Sequence, residues 1–369
     1  MLNGNILTPD GWRHGSLAFD AGRIAQLGGH AVDPADNGDE YILPGFIDLH
    51  VHGGLGLDTM DGADATVRIA RMHAQHGTTA MLATTVCTTH DKLRALLAEL
   101  AAPITLRPAN APRLLGVHLE GPYVNPGRLG GLPNEVRPAV LAELDEYMAL
   151  VPVKVVTLSP EIAGHDAIIR TLAERGVRVQ IGHTLGTYEE GMQALQHGVA
   201  GFTHLYNAMT PLNHRAPGMV GAALAHAQYS ELIPDLIHVH PGAMKVALRS
   251  IPKLYCVTDA TQTAGLPDGT YTGRGRSVTK CLGAVTLPDG TLAGSALTMD
   301  LVLRNLVSLG LSVEDASNRI SRNPADYLGL ADRGRLALGA WGDAVVLDRE
   351  LRVKAVYVEG TALDLHQPT

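Results

Sequence analysis

Six polar residues close apolar runs at separate points of this chain. His50 and His52 end Phe46-Ile47-Asp48-Leu49-His50-Val51-His52, Glu120 ends Gly116-Val117-His118-Leu119-Glu120, and His183, His204 and Asp259 follow Ile181-Gly182, Gly201-Phe202-Thr203 and Val257-Thr258. Imidazoles and carboxylates without a thiolate suit a divalent metal: Zn²⁺ first, with Fe²⁺, Mn²⁺ or Co²⁺ fitting the same ligand types. Alternate residues of a strand share a face, so His50 and His52 can reach one ion. Glu120, His183 and His204 make a three-ligand set that leaves a position open for water. Asp259, not needed as a ligand, can take a proton from that water and pass it to a leaving group. The chemistry expected is metal-assisted hydrolysis. Singly, each residue has an ordinary structural role open to it, such as a turn cap or a satisfied core histidine. It is their recurrence at one phase of a repeat that argues for a site.

That repeat is strand, loop, helix. The pattern predicts strands at 47–50, 79–86, 114–119, 153–158, 177–181, 201–204, 236–239 and 254–258, separated for the most part by helices at 63–75, 91–101, 139–150, 166–175, 188–196 and 243–250. Eight such units predict an α/β fold of the (β/α)₈ TIM-barrel type over residues 44–330, with the active site at the C-terminal ends of the strands. Gly-rich sequence from Gln262 to Leu292 interrupts the rhythm as hairpins. Short alternating runs between turn residues occupy both ends of the chain, 1–43 and 331–369, and predict one small β-sandwich domain built from the two.

Composition narrows the function. A net charge of −8 over 369 residues offers nucleic acid no general attraction. No apolar run approaches the roughly 18 residues of a membrane span, and the first residues carry neither a basic nor an apolar leader pattern, so no membrane partner and a cytoplasmic location are expected. Cys87, Cys256 and Cys281 lack the spacing of a thiolate metal site or a disulfide framework.

The segments Pro44-Gly45-Phe46-Ile47-Asp48, His118-Leu119-Glu120-Gly121-Pro122, Gly182-His183, Thr203-His204-Leu205-Tyr206-Asn207-Ala208-Met209, Val257-Thr258-Asp259-Ala260 and Gly294-Ser295-Ala296-Leu297-Thr298-Met299 together resemble the amidohydrolase superfamily. Within it they resemble the N-acetylglucosamine-6-phosphate deacetylases, in the same order and over almost the whole chain. The resemblance implies hydrolysis of the acetamide of an amino-sugar phosphate, with Glu120, His183 and His204 on the main metal and Asp259 as proton shuttle. It also implies substrate contacts from Gly131 and Leu132, Asn207-Ala208, Arg215, His238 and the Leu292-Ala293-Gly294 turn. A homodimer is implied too, in which a neighbouring subunit completes the phosphate site.

Two departures stand out. Some relatives replace the first-strand histidines and hold one metal, whereas His50 and His52 are both present here, so one or two ions per subunit are open. In Gly130-Gly131-Leu132-Pro133-Asn134, Leu132 stands where relatives carry a histidine that polarises the substrate carbonyl. A second metal near His50 and His52 would replace that donor, or the substrate would differ. N-acetylgalactosamine 6-phosphate and other N-acyl compounds are the alternative substrates. A cyclic-amide hydrolase lacks its bridging lysine here, and a non-catalytic barrel scaffold would have no need of Asp259.

Overall fold

A computed structural model describes residues 1–273 and 275–366 of the chain. Its centre is a ring of parallel strands. Six form one sheet in the spatial order Gly201–Phe202, Arg178–Ile181, Val153–Leu158, Arg113–Glu120, Thr78–Thr85 and Phe46–Val51. Glu231–Leu232 and Tyr255–Cys256 pair in parallel beside them. Leu205 N donates to Glu231 O at 3.0 Å, and Asp259 N donates to His50 O at 2.9 Å, so the last strand meets the first and the barrel closes. Strands covered on both faces need continuous rather than alternating apolar sequence. Thr78–Thr85 and Phe46–Val51 are accordingly buried at every residue. Each fully buried Val, Leu or Phe side chain adds about 1.5–3 kcal/mol to the core.

The helices Ala63–Gln75 and Tyr188–Gln196 fall where the apolar period puts them. Thr187 and Glu190 form a reciprocal capping box at the second. Two expectations change. The seventh strand is Glu231–Leu232, and 236–239 is irregular: Leu236 has φ +66° and Ile237 is exposed. A charged residue at 231 disguised the true strand as surface, while Leu236 to Val239 imitated one. The alternating run 335–338, which reads as a strand of the small β domain, also lies outside any strand. A helix at Gly218–His226 was not legible, because its glycines and alanines carry little amphipathic pattern. Those small residues let it approach Tyr188–Gln196 closely: a Cβ on Gly191 would sit 2.8 Å from Ala222 Cβ.

The two chain ends share one curled sheet, ordered Thr361–Ala362, Val353–Val358, Ala344–Leu347, Tyr41–Pro44, Leu2–Thr8, Gly11–Asp20 and Arg23–Leu27. It folds over a core of its own, with Ile6, Leu17, Ile24, Ile42 and Val346 inside. Residues 367–369, the end of the segment assigned to this domain, lie outside the described residues. Only Gly45 separates Tyr41–Pro44 from the first barrel strand, and a Cβ there would lie 2.1 Å from Thr79 Oγ1. The first strand is thereby anchored at its base. Among the described residues no helix is long and apolar enough to cross a membrane.

Glu359 ties the sheet to the barrel. Its carboxylate accepts from Arg107 Nε at 3.2 Å and from Arg113 Nε and Nη2 at 2.9 Å, and it also pairs with Arg333. Burial alone raises its pKa, but the bonds from Arg113 and Arg333 outweigh burial and hold it at about 2, below the ordinary 4.5. A depressed carboxylate contributes stability above its unfolded pKa and loses it as pH falls through the folded one. Glu359→Gln is therefore expected to cost about 1–3 kcal/mol at neutral pH. The deficit should shrink between pH 4.5 and 2 as the native carboxylate protonates, measured by denaturant unfolding at several pH values.

Candidate active site

The six strand-end residues converge at one mouth of the barrel. Glu120 Oε1 lies 3.1 Å from His183 Nε2 and 3.0 Å from His204 Nε2, and these two nitrogens are 3.0 Å apart. Glu120 Oε2 instead faces His52 Nε2 at 3.0 Å. His52 Nε2 is 3.2 Å from His50 Nε2, and Asp259 Oδ1 lies 3.5 and 3.4 Å from the two rings. Two donor groups result, Glu120/His183/His204 and His50/His52/Asp259. Glu120 reaches both: its Oε2 faces His52, and its Oε1, set between His183 and His204, is also 3.4 Å from His50 Nε2.

Local backbone makes this convergence. His183, His204 and Asp259 all have positive φ, at 49°, 31° and 48°, as do Tyr206 and Ala208 in the loop beyond. Non-glycine residues avoid that region, and its concentration here is strain of the kind found at functional sites. Asp48 pins the first and eighth strands together by accepting from Thr258 Oγ1 at 2.6 Å and from the backbone of Thr258 and His50. Burial outweighs those bonds and pushes its carboxyl up to about 7.

The electrostatics call for a cation. Glu120, Asp259 and Glu231 place three carboxylates around His50. Burial lowers the imidazole pKa of His50, yet the neighbouring carboxylates overcome it and raise the pKa well above 6.5. Burial raises Glu120 and Asp259, but the histidines prevail: Glu120 is held far below the usual carboxylate range and Asp259 at about 2. The rings are also set for ligation. Two of the rings are held from behind: His183 Nδ1 is 2.7 Å from Arg128 O and His50 Nδ1 is 2.9 Å from Glu231 Oε2, which turns Nε2 of each toward the site. Donor type, spacing and charge all fit one or two divalent ions.

A cavity of about 530 Å³ opens over these groups. Gly131, Leu132, Asn207, Ala208, His238 and the 292–294 turn line it, as do His52, Glu120, His183, His204 and Asp259. Gly294 is required in the turn: with φ +68°, a Cβ would lie 2.4 Å from Thr261 Cγ2. Leu132 is buried with Val86, Cys87 and Val124, so this wall is apolar and offers no donor. His238 Nδ1 is 2.6 Å from Asp235 Oδ2; burial lowers its pKa, and Asp235 more than restores it. Arg215 is exposed and not among the lining residues. Arg128 and Arg276 are. Arg128 Nε is buried without a hydrogen-bond partner.

Sequence reasoning passed over three of these residues. Glu231 and Arg128 carry no motif signal. His118 lies within its strand rather than at the end, and its ring packs edge-on against His50 at 4.7 Å with both nitrogens engaged, by Leu49 O and Thr157 Oγ1.

Comparison with known proteins identifies the family. The profile of the amidohydrolase family matches residues 41–363. An N-acetylgalactosamine-6-phosphate deacetylase of Escherichia coli O157:H7 is 38% identical over 96% of both chains. An N-acetylglucosamine-6-phosphate deacetylase of Bacillus subtilis is 38% identical over 85% of this chain and 82% of its own. Among solved structures, a variant of the Mycobacterium smegmatis N-acetyl-D-glucosamine-6-phosphate deacetylase in complex with N-acetyl-D-glucosamine 6-phosphate superposes with a TM-score of 0.88. It is 30% identical, with 97% of each chain covered.

Proposed function

The chain belongs to the amidohydrolase family, and we propose that it hydrolyses the acetamide of N-acetyl-D-glucosamine 6-phosphate to D-glucosamine 6-phosphate and acetate. The observation that carries this reading is the placement of an ionised Asp259 carboxylate 3.4 Å from His52, on the floor of the cavity that Glu120, His183 and His204 also line. A divalent ion on those ligands, Zn²⁺ by ligand type, supplies Lewis acidity for the amide carbonyl and acidifies a water. The Asp259 carboxylate takes a proton from the attacking water and returns it to the amine nitrogen as the C–N bond breaks. Arg128 O holds the ring of His183, and Glu231 that of His50.

The phosphate dianion needs cationic partners. Within the subunit Arg128, Arg276 and His238 supply them, and the exposed Arg215 is free to reach the cavity of a second subunit in a homodimer. Hydrogen bonds to charged groups contribute about 1.5–3 kcal/mol. Arg128→Ala is therefore expected to raise KM for the phosphorylated sugar by about 10–100-fold, with a much smaller change for the unphosphorylated one, in steady-state kinetics. A cytoplasmic location suits a substrate whose charge keeps it from crossing membranes. We assign domains to 1–43 with 331–369 and to 44–330, on the pairing of the two chain ends in one sheet.

The galactosamine epimer is the second reading, favoured by the 38% identity to the E. coli protein of that name. The test is acetate release from both 6-phosphates, with metal content measured on the same preparation. Release that chelation abolishes and metal restores is expected, and the faster epimer names the substrate. No release from either sugar by metal-loaded protein would overturn the reading.

A further inference from the structure

Glu231 is fully buried on the seventh barrel strand and does not line the cavity. Its Oε2 lies 2.9 Å from His50 Nδ1 and accepts the backbone N–H of His204 at 3.2 Å. Its Oε1 accepts from the Tyr255 hydroxyl at 3.2 Å, which accepts from Gln180 Nε2 at 2.6 Å; Gln180 Oε1 in turn accepts from Thr203 at 2.8 Å. One carboxylate thus touches a member of each donor group, and a hydrogen-bonded chain across the fifth to eighth strands fixes its orientation. A buried carboxylate is costly unless its oxygens are satisfied, and here both are.

We propose that Glu231 is the positioning residue that commits His50 to a second divalent ion. The proposal rests on the metal-hydrolase reading above. His50 and His52 present their Nε2 atoms to each other at 3.2 Å, with Asp259 Oδ1 at 3.5 and 3.4 Å from them, a spacing that suits ligands around one ion. An anionic acceptor at Nδ1 holds the ring with Nδ1 turned to Glu231 and Nε2 turned toward His52 and Asp259, and makes Nε2 a stronger donor to an ion bound there. His118 also comes within ligand range of His50 and Glu231. Both its ring nitrogens are engaged by Leu49 O and Thr157 Oγ1, so it fixes the ring plane of His50 without competing for the ion.

The test titrates metal-free protein with Co²⁺ alone, following stoichiometry and visible absorption. Wild type is expected to bind in two steps, assigned by the step that His183→Asn or His52→Asn removes. Glu231→Gln keeps the shape and loses the charge; it should weaken the His50/His52/Asp259 step by about 10–100-fold and leave the other in place. Tyr255→Phe, which frees Oε1 but keeps the carboxylate, should weaken the same step by less and serves if Glu231→Gln does not fold. Equal weakening of both steps would mean a structural role only and overturn the proposal, as would unchanged binding in a folded Glu231→Gln, or in Tyr255→Phe where it is the only folded variant. A single step in wild type would also overturn it. Acetate release by that wild-type preparation separates the readings: release with one ion defeats this proposal alone, and two ions without release defeat the deacetylase.

Discussion

Asp259→Asn is expected to lower kcat by about 10²–10⁴-fold, the usual contribution of a positioned acid–base group, while substrate affinity and the ion on Glu120, His183 and His204 persist. Asparagine keeps the shape, and the backbone bonds that hold this residue, from Asp259 N to His50 O at 2.9 Å and from Ser295 N to Asp259 O at 2.8 Å, do not involve its side chain. What is lost is a carboxylate held at about 2 by His50 and His52 against the effect of burial, and so ionised throughout the neutral range. The loss should fall on kcat and kcat/KM alike, because the proton moves only on the way to and from the tetrahedral state. Metal analysis and a thermal melt on the same sample distinguish this from misfolding. A folded, metal-loaded variant with near-normal turnover would show that the proton travels elsewhere.

Much of this site was readable before the fold was known, for one physical reason. A closed parallel barrel brings the C-terminal end of every strand to one mouth, so a polar residue ending an apolar run has its location fixed by topology. His50, His52, Glu120, His183, His204 and Asp259 all followed that rule. Glu231 broke it from inside the strand: within Ser230-Glu231-Leu232-Ile233-Pro234 a charge normally marks surface, and nothing local announces that Tyr255, His50 and a backbone N–H will satisfy it. The error over the seventh strand has the same origin. Apolar Leu236 to Val239 outscored a strand whose key residue is a buried carboxylate. Arg128 was hidden differently, since its backbone carbonyl orients His183 and a carbonyl has no sequence identity. Nor could spacing show that Glu120 contacts both donor groups, with Oε1 beside His183, His204 and His50 and Oε2 beside His52.

That sharing of Glu120 between the two groups has the largest predicted consequence. Its Oε1 is 3.1 and 3.0 Å from His183 and His204 and 3.4 Å from His50, and its Oε2 is 3.0 Å from His52. Glutamine has the same outline but only one acceptor oxygen; the other position becomes an NH₂ donor. Whichever way the amide turns, an NH₂ replaces an oxygen that faces at least one donor group and aims its N–H bonds at the place of a cation, and the buried site loses a negative charge. Glu120→Gln is therefore expected to deplete metal from both groups and to reduce turnover by more than about 10³-fold, beyond the roughly 10–100-fold of a residue one step removed from the ion. His183→Asn, which removes a ligand from one group only, should leave the His50/His52/Asp259 ion measurable. Metal content by elemental analysis after dialysis, read beside acetate release, orders the two variants. If Glu120→Gln holds as much metal as His183→Asn, Glu120 serves one group rather than two, and the paired arrangement of the site is wrong.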